Sequence, residues 1–194
     1  NSLLITGSSP GLGKSFISKN LGAVLAQVDK RVVIVDADLR RGHLHQEFGL
    51  ERAVGVSEFV SGQATLEDLL KTTMVPKLWV VTTGQIPPNP SELLMHPRFQ
   101  ALLTELAARF DTVIVDAPPV LAVSDAAIIG RHVGATLMVA RAGKHPVREL
   151  EQAVKRLNQA GVQVKGFVFN DLNVSRQNYR YGYKGYVYRY SYKT

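Results

Sequence analysis

Two runs of this chain, Val32-Val33-Ile34-Val35 and Val113-Ile114-Val115, are apolar at every position. A strand with one wet face alternates apolar and polar side chains, so a run apolar on both parities needs packing on both faces. Similar β-branched runs recur, giving candidate strands at Leu3–Thr6, Arg31–Asp36, Trp79–Thr83, Thr112–Asp116, Thr136–Arg141 and Val164–Asn170. Helical patterns lie between them. Lys14–Val28 carries Ile17, Leu21, Leu25 and Val28 as one apolar stripe, and 98–109 and 146–159 read similarly. Pro146 suits a first helical turn and Gly161 a C-terminal stop. Strands alternating with helices predict an α/β fold: a mostly parallel sheet, right-handed crossovers and helices on both faces. Ligands of such sheets bind at the carboxyl ends of the strands.

The 194 residues suit one domain of ordinary size. The boundary is expected near residue 172, with 1–172 as the folded body and 173–194 as a flexible tail, disordered when alone. No apolar run reaches the ~18 residues of a membrane span. The chain opens directly on Asn1-Ser2-Leu3-Leu4-Ile5-Thr6, which reads as a buried strand, so it is expected to be a piece of a longer protein. The absence of cysteine excludes disulfides and thiolate metal sites. The histidines His43, His45, His96, His132 and His145 show no metal-ligand spacing.

Three motifs carry chemistry. The first, Gly7-Ser8-Ser9-Pro10-Gly11-Leu12-Gly13-Lys14-Ser15, follows a candidate strand and opens a candidate helix. That is the context of a P-loop, whose backbone N–H groups and helix N-terminus bind phosphates. Lys14 would reach the β- and γ-phosphates of ATP, and the Ser15 hydroxyl would ligate Mg²⁺. Ser8 stands where the strict pattern has glycine, and is small enough to serve. The nucleotide-contacting set is expected at Ser9, Pro10, Gly11, Leu12, Gly13, Lys14, Ser15 and Phe16.

The second motif, Asp36-Ala37-Asp38-Leu39-Arg40, ends the second candidate strand. Residues i and i+2 of a strand point the same way, so Asp36 and Asp38 are expected on one face beside the loop. Two close carboxylates repel unless a cation joins them, and Mg²⁺ would be that cation. The third, Val113-Ile114-Val115-Asp116-Ala117-Pro118-Pro119, places one acid after a buried strand. This is the Walker B form, in which Asp116 holds Mg²⁺.

With these motifs the chain resembles the P-loop ATPases related to MinD and ParA. Gly84-Gln85-Ile86-Pro87-Pro88-Asn89-Pro90-Ser91-Glu92-Leu93-Leu94, Ser124-Asp125-Ala126 and the tyrosine-rich end narrow the resemblance to bacterial tyrosine-kinase catalytic domains of the Wzc/Etk type. The resemblance runs from Leu3 to the C-terminus. Ser9 stands where MinD/ParA-type ATPases carry a signature lysine, which favours the kinase branch. The resemblance implies an ATP- and Mg²⁺-dependent autokinase that phosphorylates C-terminal tyrosines between subunits and regulates capsule and exopolysaccharide export. Lys14, Asp36 and Asp38 would be catalytic, with Asp36 as base, and Ser15, Asp38 and Asp116 would serve the metal; the roles of Asp36 and Asp38 could be exchanged. Asn170 resembles the base-recognition position or simply caps a strand end. The 84–94 segment reads as a loop beside the nucleotide or a rigid turn, and Arg40, Arg41 and Arg141 as phosphate contacts, subunit contacts or solvated arginines. Implied partners are further copies in a ring, a transmembrane activator or the parent's own membrane portion, and a cognate tyrosine phosphatase, on the cytoplasmic side of the bacterial inner membrane. No nucleic-acid partner is expected.

The phosphoacceptors would be Tyr179, Tyr181, Tyr183, Tyr186, Tyr188, Tyr190 and Tyr192, which are all 7 tyrosines of the chain. Of the net charge of +7, five units sit on Arg176, Arg180, Lys184, Arg189 and Lys193 with no acid among them, leaving +2 for the body. Tyr/Arg/Gly interleaving also suits stacking on single-stranded nucleic acid, or a sticky low-complexity end. The main alternative for the whole chain is a nucleotide-switch or partitioning ATPase that binds DNA or a membrane partner.

Overall fold

The run Val32–Asp36 is buried at every position and forms strand β2 at the centre of a sheet. The computed structural model describes residues 1–144 and 146–172. The expected tail and all its tyrosines, like His145, lie outside the described residues. The elements are β1 (Ser2–Gly7), α1 (Lys14–Gln27), β2, α2 (Leu44–Glu47), α3 (Val56–Val60), α4 (Leu66–Leu69), β3 (Lys71–Thr72) and β4 (Leu78–Val81). Then come α5 (Pro90–Met95), α6 (Pro97–Arg109), β5 (Thr112–Asp116), α7 (Asp125–Gly130), β6 (Ala135–Arg141), α8 (Val147–Gln159) and β7 (Val164–Asn170).

The strands form one sheet in the order β3-β4-β2-β5-β1-β6-β7. All neighbours are parallel except β3 and β4. Alternate residues of the central strands feed two cores. Val33, Val35, Val113 and Val115 pack with Phe99, Leu102 and Leu106 of α6 and Ile129 of α7. Val32, Ile34 and Ile114 pack with Leu12 and Ala26 on the face covered by α1. The doubly apolar runs are therefore covered on both sides, as their composition requires.

In α1 the buried line is Ser15, Ser18, Gly22 and Ala26 rather than the bulkier residues. Ile17, Leu21 and Leu25 flank this line against the core. Val28, expected to extend the stripe, caps the helix and is exposed. Small residues let the helix axis come close: a Cβ on Gly22 would lie 2.8 Å from Ile34 Cδ1. α6 starts at Pro97, where the His96 ring accepts the Arg98 N–H at 3.2 Å. Pro146 stands one position ahead of its helix, as the cap of α8.

Candidate active site

β1 ends at Gly7, and the next six residues turn the chain into α1. Gly11 and Gly13 have φ of 75° and 87°, the left-handed region that glycine enters without strain. Leu12 between them is fully buried, so its side chain anchors the loop in the core. No side chain caps the N-terminus of α1, and its first turn contains no acid. Free N–H groups and the helix dipole therefore favour an anion there. Phe16 is exposed on the first turn.

Two carboxylates meet this loop from adjacent strands. β2 and β5 pair with Asp36 opposite Asp116, and β1 pairs with β5 so that Ile5 lies opposite Asp116. The Ser15 hydroxyl donates to Asp116 Oδ2 at 2.6 Å, and the Ser18 hydroxyl donates to Oδ1 at 3.0 Å. Asp116 is 3% exposed. Burial pushes its carboxyl up to about 6, against the pull of both hydroxyls and of Lys14. Burial lowers Lys14 from its ordinary value, and the charges of Asp116 and Asp38 oppose that shift. Each group favours the charged form of the other.

Asp36 is 1% exposed and lies well above the usual carboxylate range. Burial is the larger cause, followed by the like charge of Asp116. Its Oδ2 accepts the Leu44 N–H at 3.0 Å, which resists the shift. β2 stops at Asp36, so Asp38 lies past the strand rather than on a shared strand face. There Asp38 Oδ1 accepts the Arg41 N–H at 2.9 Å and the Arg40 N–H at 3.3 Å, which fixes the turn.

Arg40, Arg41 and Arg141 are expected as phosphate contacts, subunit contacts or solvated arginines. Arg40 reaches Asp125, with Nε at 2.8 Å from Oδ2 and Nη2 at 3.2 Å from Oδ1. Ser91 donates to the same carboxylate at 2.8 Å and accepts from Arg40 at 2.8 Å. The turn after β2, α5 and α7 are thereby tied together. Arg141 pairs with Asp171 and donates to the Gly11 carbonyl at 3.2 Å. Asn170 Nδ2 donates to the Leu12 carbonyl at 2.9 Å. The end of β7 is thus fastened to the glycine-rich loop. The 84–94 segment is a loop only as far as Asn89, since Pro90 starts α5. Sequence reasoning missed Ser18, and it singled out Asp125 within Ser124-Asp125-Ala126 without giving it a role. Ser18 was within reach, since i and i+3 share a helix face.

A family model described as an AAA domain matches residues 4–158. The tyrosine-protein kinase ptk of Acinetobacter johnsonii is 50% identical over 92% of this chain and 24% of that protein. The solved kinase domain of Escherichia coli tyrosine kinase ETK matches with a TM-score of 0.88 and 44% identity, over 99% of this chain and 72% of that one. This chain belongs to the bacterial tyrosine-kinase family. It spans about a quarter of the length of the curated kinase relatives it matches. The septum site-determining protein MinD of Pyrococcus horikoshii, solved with Mg-ADP, has a TM-score of 0.73 at 19% identity over 87% of this chain and 69% of that one, and shares the fold. Among the described residues no helix of this kinase-family chain is long and apolar enough to cross a membrane.

Proposed function

We propose that this domain transfers the γ-phosphoryl group of ATP to tyrosines of the C-terminal segment, acting between copies. The observation that carries the reading is the convergence of Lys14, Ser15, Asp36 and Asp116 on one uncapped helix N-terminus, in a chain whose relatives are named tyrosine kinases. Ser9 through Phe16 would hold the phosphates through the loop backbone, and Asn170 would meet the base.

The residues fit a Mg²⁺-bound nucleotide. Among the described residues no three His, Cys, Asp or Glu side chains form a metal cage. Mg²⁺ needs none, because it keeps several waters and binds one or two carboxylates plus phosphate oxygens. Ser15, Asp38 and Asp116 would hold it, and it supplies charge neutralisation when bound. Lys14 places a positive charge where the transferring group develops negative charge. Tyrosine, with an ordinary pKa near 10, needs a base. Asp36, buried and raised above the usual carboxylate range, would be the group that accepts that proton. The tyrosine oxygen bonds to the γ-phosphorus, the bond to the bridging oxygen breaks, and ADP leaves.

The folded body would end near 172, with the tyrosines on the segment beyond. Each phosphotyrosine adds about −1.5 to −2 charges, which reverses the sign of that basic segment and loosens a ring of copies. The domain would belong to a longer parent protein attached to the bacterial inner membrane, by its own membrane portion or an activator. Export of exopolysaccharide or capsule is the process it would regulate, with a tyrosine phosphatase resetting the tail. Incubation with Mg²⁺ and ATP, followed by mass spectrometry of the C-terminal peptide, tests the reading. Phosphate release with no phosphotyrosine would favour a nucleotide-switch ATPase instead.

A further inference from the structure

Three sequence features take no part in the proposed transfer: Arg40, the 84–94 segment and Ser124-Asp125-Ala126. The fold brings one residue of each into a single cluster. Asp125 opens α7 with its carboxylate fully buried. A buried carboxylate is costly unless donors meet its oxygens, and here both oxygens are met. Arg40 donates from Nε to Oδ2 and from Nη2 to Oδ1, a two-pronged contact that fixes orientation as well as charge. Ser91, in the first turn of α5, donates to Oδ1 and accepts from Arg40 Nη2. Each of the three side chains therefore bonds both of the others.

Arg40 sits in the turn that carries Asp38. Its own N–H and that of Arg41 point at Asp38 Oδ1, and the Gly42 N–H bonds the Asp38 carbonyl at 2.6 Å. Asp38 is near enough to Lys14 for its charge to act there, so this turn borders the phosphate-facing loop. Yet β2 pairs with β5 only as far as Asp36, and Asp38 lies past the ladder. The turn is fastened at its far end by the Leu44 N–H on Asp36 Oδ2. In its middle it is fastened by the Arg40 side chain, to α5 and α7. Releasing Arg40 would free the stretch that holds the Asp38 carboxylate in place.

We infer that Arg40, Ser91 and Asp125 are positioning residues of the metal–nucleotide site, acting as one unit that sets the place of the Asp38 carboxylate. The inference rests on the reading of Asp38 as a Mg²⁺ ligand, and not on tyrosine as the acceptor. Groups that orient a metal ligand from behind carry about ten- to a hundredfold in metal affinity. A strut that only held the fold together would change stability and leave the metal's effect on nucleotide binding untouched. That difference separates the two roles.

Calorimetric titration of the full 194-residue chain with a non-hydrolysable ATP analogue, in Mg²⁺ and in EDTA, tests this. The quantity read is the factor by which Mg²⁺ tightens binding. In Asp125→Asn and in Arg40→Ala that factor should fall at least about tenfold, with the affinity in EDTA unchanged. The Arg40→Ala/Asp125→Asn double variant should lose no more than the worse single variant, as members of one unit do. Leu157→Ala opens a cavity beneath α8 and lowers stability away from the cluster, so it should keep the wild-type factor. If a cluster variant fails to fold, Ser91→Ala replaces it, with a loss of about threefold for one hydrogen bond. Wild-type factors in the cluster variants, an equal loss in Leu157→Ala, or no Mg²⁺ effect in the unmodified chain would each overturn the inference. Phosphotyrosine is read separately: its absence with the Mg²⁺ result intact removes the kinase reading and leaves this one standing.

Discussion

Replacing Asp116 by asparagine separates what the carboxylate does for catalysis from what it costs the fold. In the nucleotide-free domain Asp116 is buried and raised from 3.8 to about 6. At 1.36 kcal/mol per unit this shift corresponds to about 3 kcal/mol of destabilisation above pH 6. The folded state binds the proton more tightly than the unfolded chain. The penalty is therefore complete above pH 6, falls as pH drops through 6, and is gone below 3.8. Asparagine keeps the shape and removes the charge, but leaves one of the Ser15 and Ser18 hydroxyls to find another acceptor, a loss of about 1 kcal/mol. Asp116→Asn should thus stabilise the domain by about 2 kcal/mol at pH 8. The advantage should shrink by about 1–1.5 kcal/mol at pH 5, where the wild-type group is largely protonated when folded. Urea unfolding of both proteins across this pH range, without nucleotide or Mg²⁺, measures the difference. Subtracting the two curves removes most titrations common to both. Asp36 contributes in the same direction, since the loss of its like-charged neighbour lowers its own shift. An Asn variant less stable than wild type at pH 8, or a gap that does not change with pH, would refute the electrostatic account.

Lys14→Met should abolish labelling of the C-terminal tyrosines from ATP with the circular dichroism spectrum unchanged. Gly84→Ala should cost about 2–4 kcal/mol in chemical denaturation. Gly84 has φ of 75°, and a Cβ there would collide with Glu58 Oε2, which accepts the Gly55 N–H at 2.8 Å. Asp125→Ala should cost about 1–3 kcal/mol. The loss stays below that of a fully buried pair because Arg40 is partly exposed and can rehydrate. An Arg40→Ala/Asp125→Ala cycle should show coupling above 0.5 kcal/mol, the level expected of residues in contact.

β2 and β5 were legible because runs apolar on both faces fit little else, and the carboxyl ends of those strands located the site. The glycine-rich loop was legible because its flanking strand and helix agreed with it. The short helices α2 to α5 and α7 were not, since four to six residues hold too little of a 3.6 period to register. β3, with two residues, lies below any alternation signal. Asp125 was invisible as a buried acid because its burial depends on Arg40, 85 positions away. Asp38 is close enough to act on Lys14 and Asp36, as expected, but it does so from the turn after β2, because the strand stops at Asp36.

The close approach at Gly22 sets a mechanical tolerance for chemistry done elsewhere. With a rise of 1.5 Å per residue, Gly22 lies about 12 Å along α1 from Lys14. Helix and sheet touch there with no room for a methyl group, so that contact acts as the fulcrum of a rigid rod whose far end carries Lys14 and Ser15. A side chain at 22 would lift the rod at the fulcrum and swing the phosphate-facing end. Displacements of about 1 Å cost a reaction on the order of a hundredfold. A residue that touches no substrate and carries no side chain would then be read, in any screen for activity, as part of the active site.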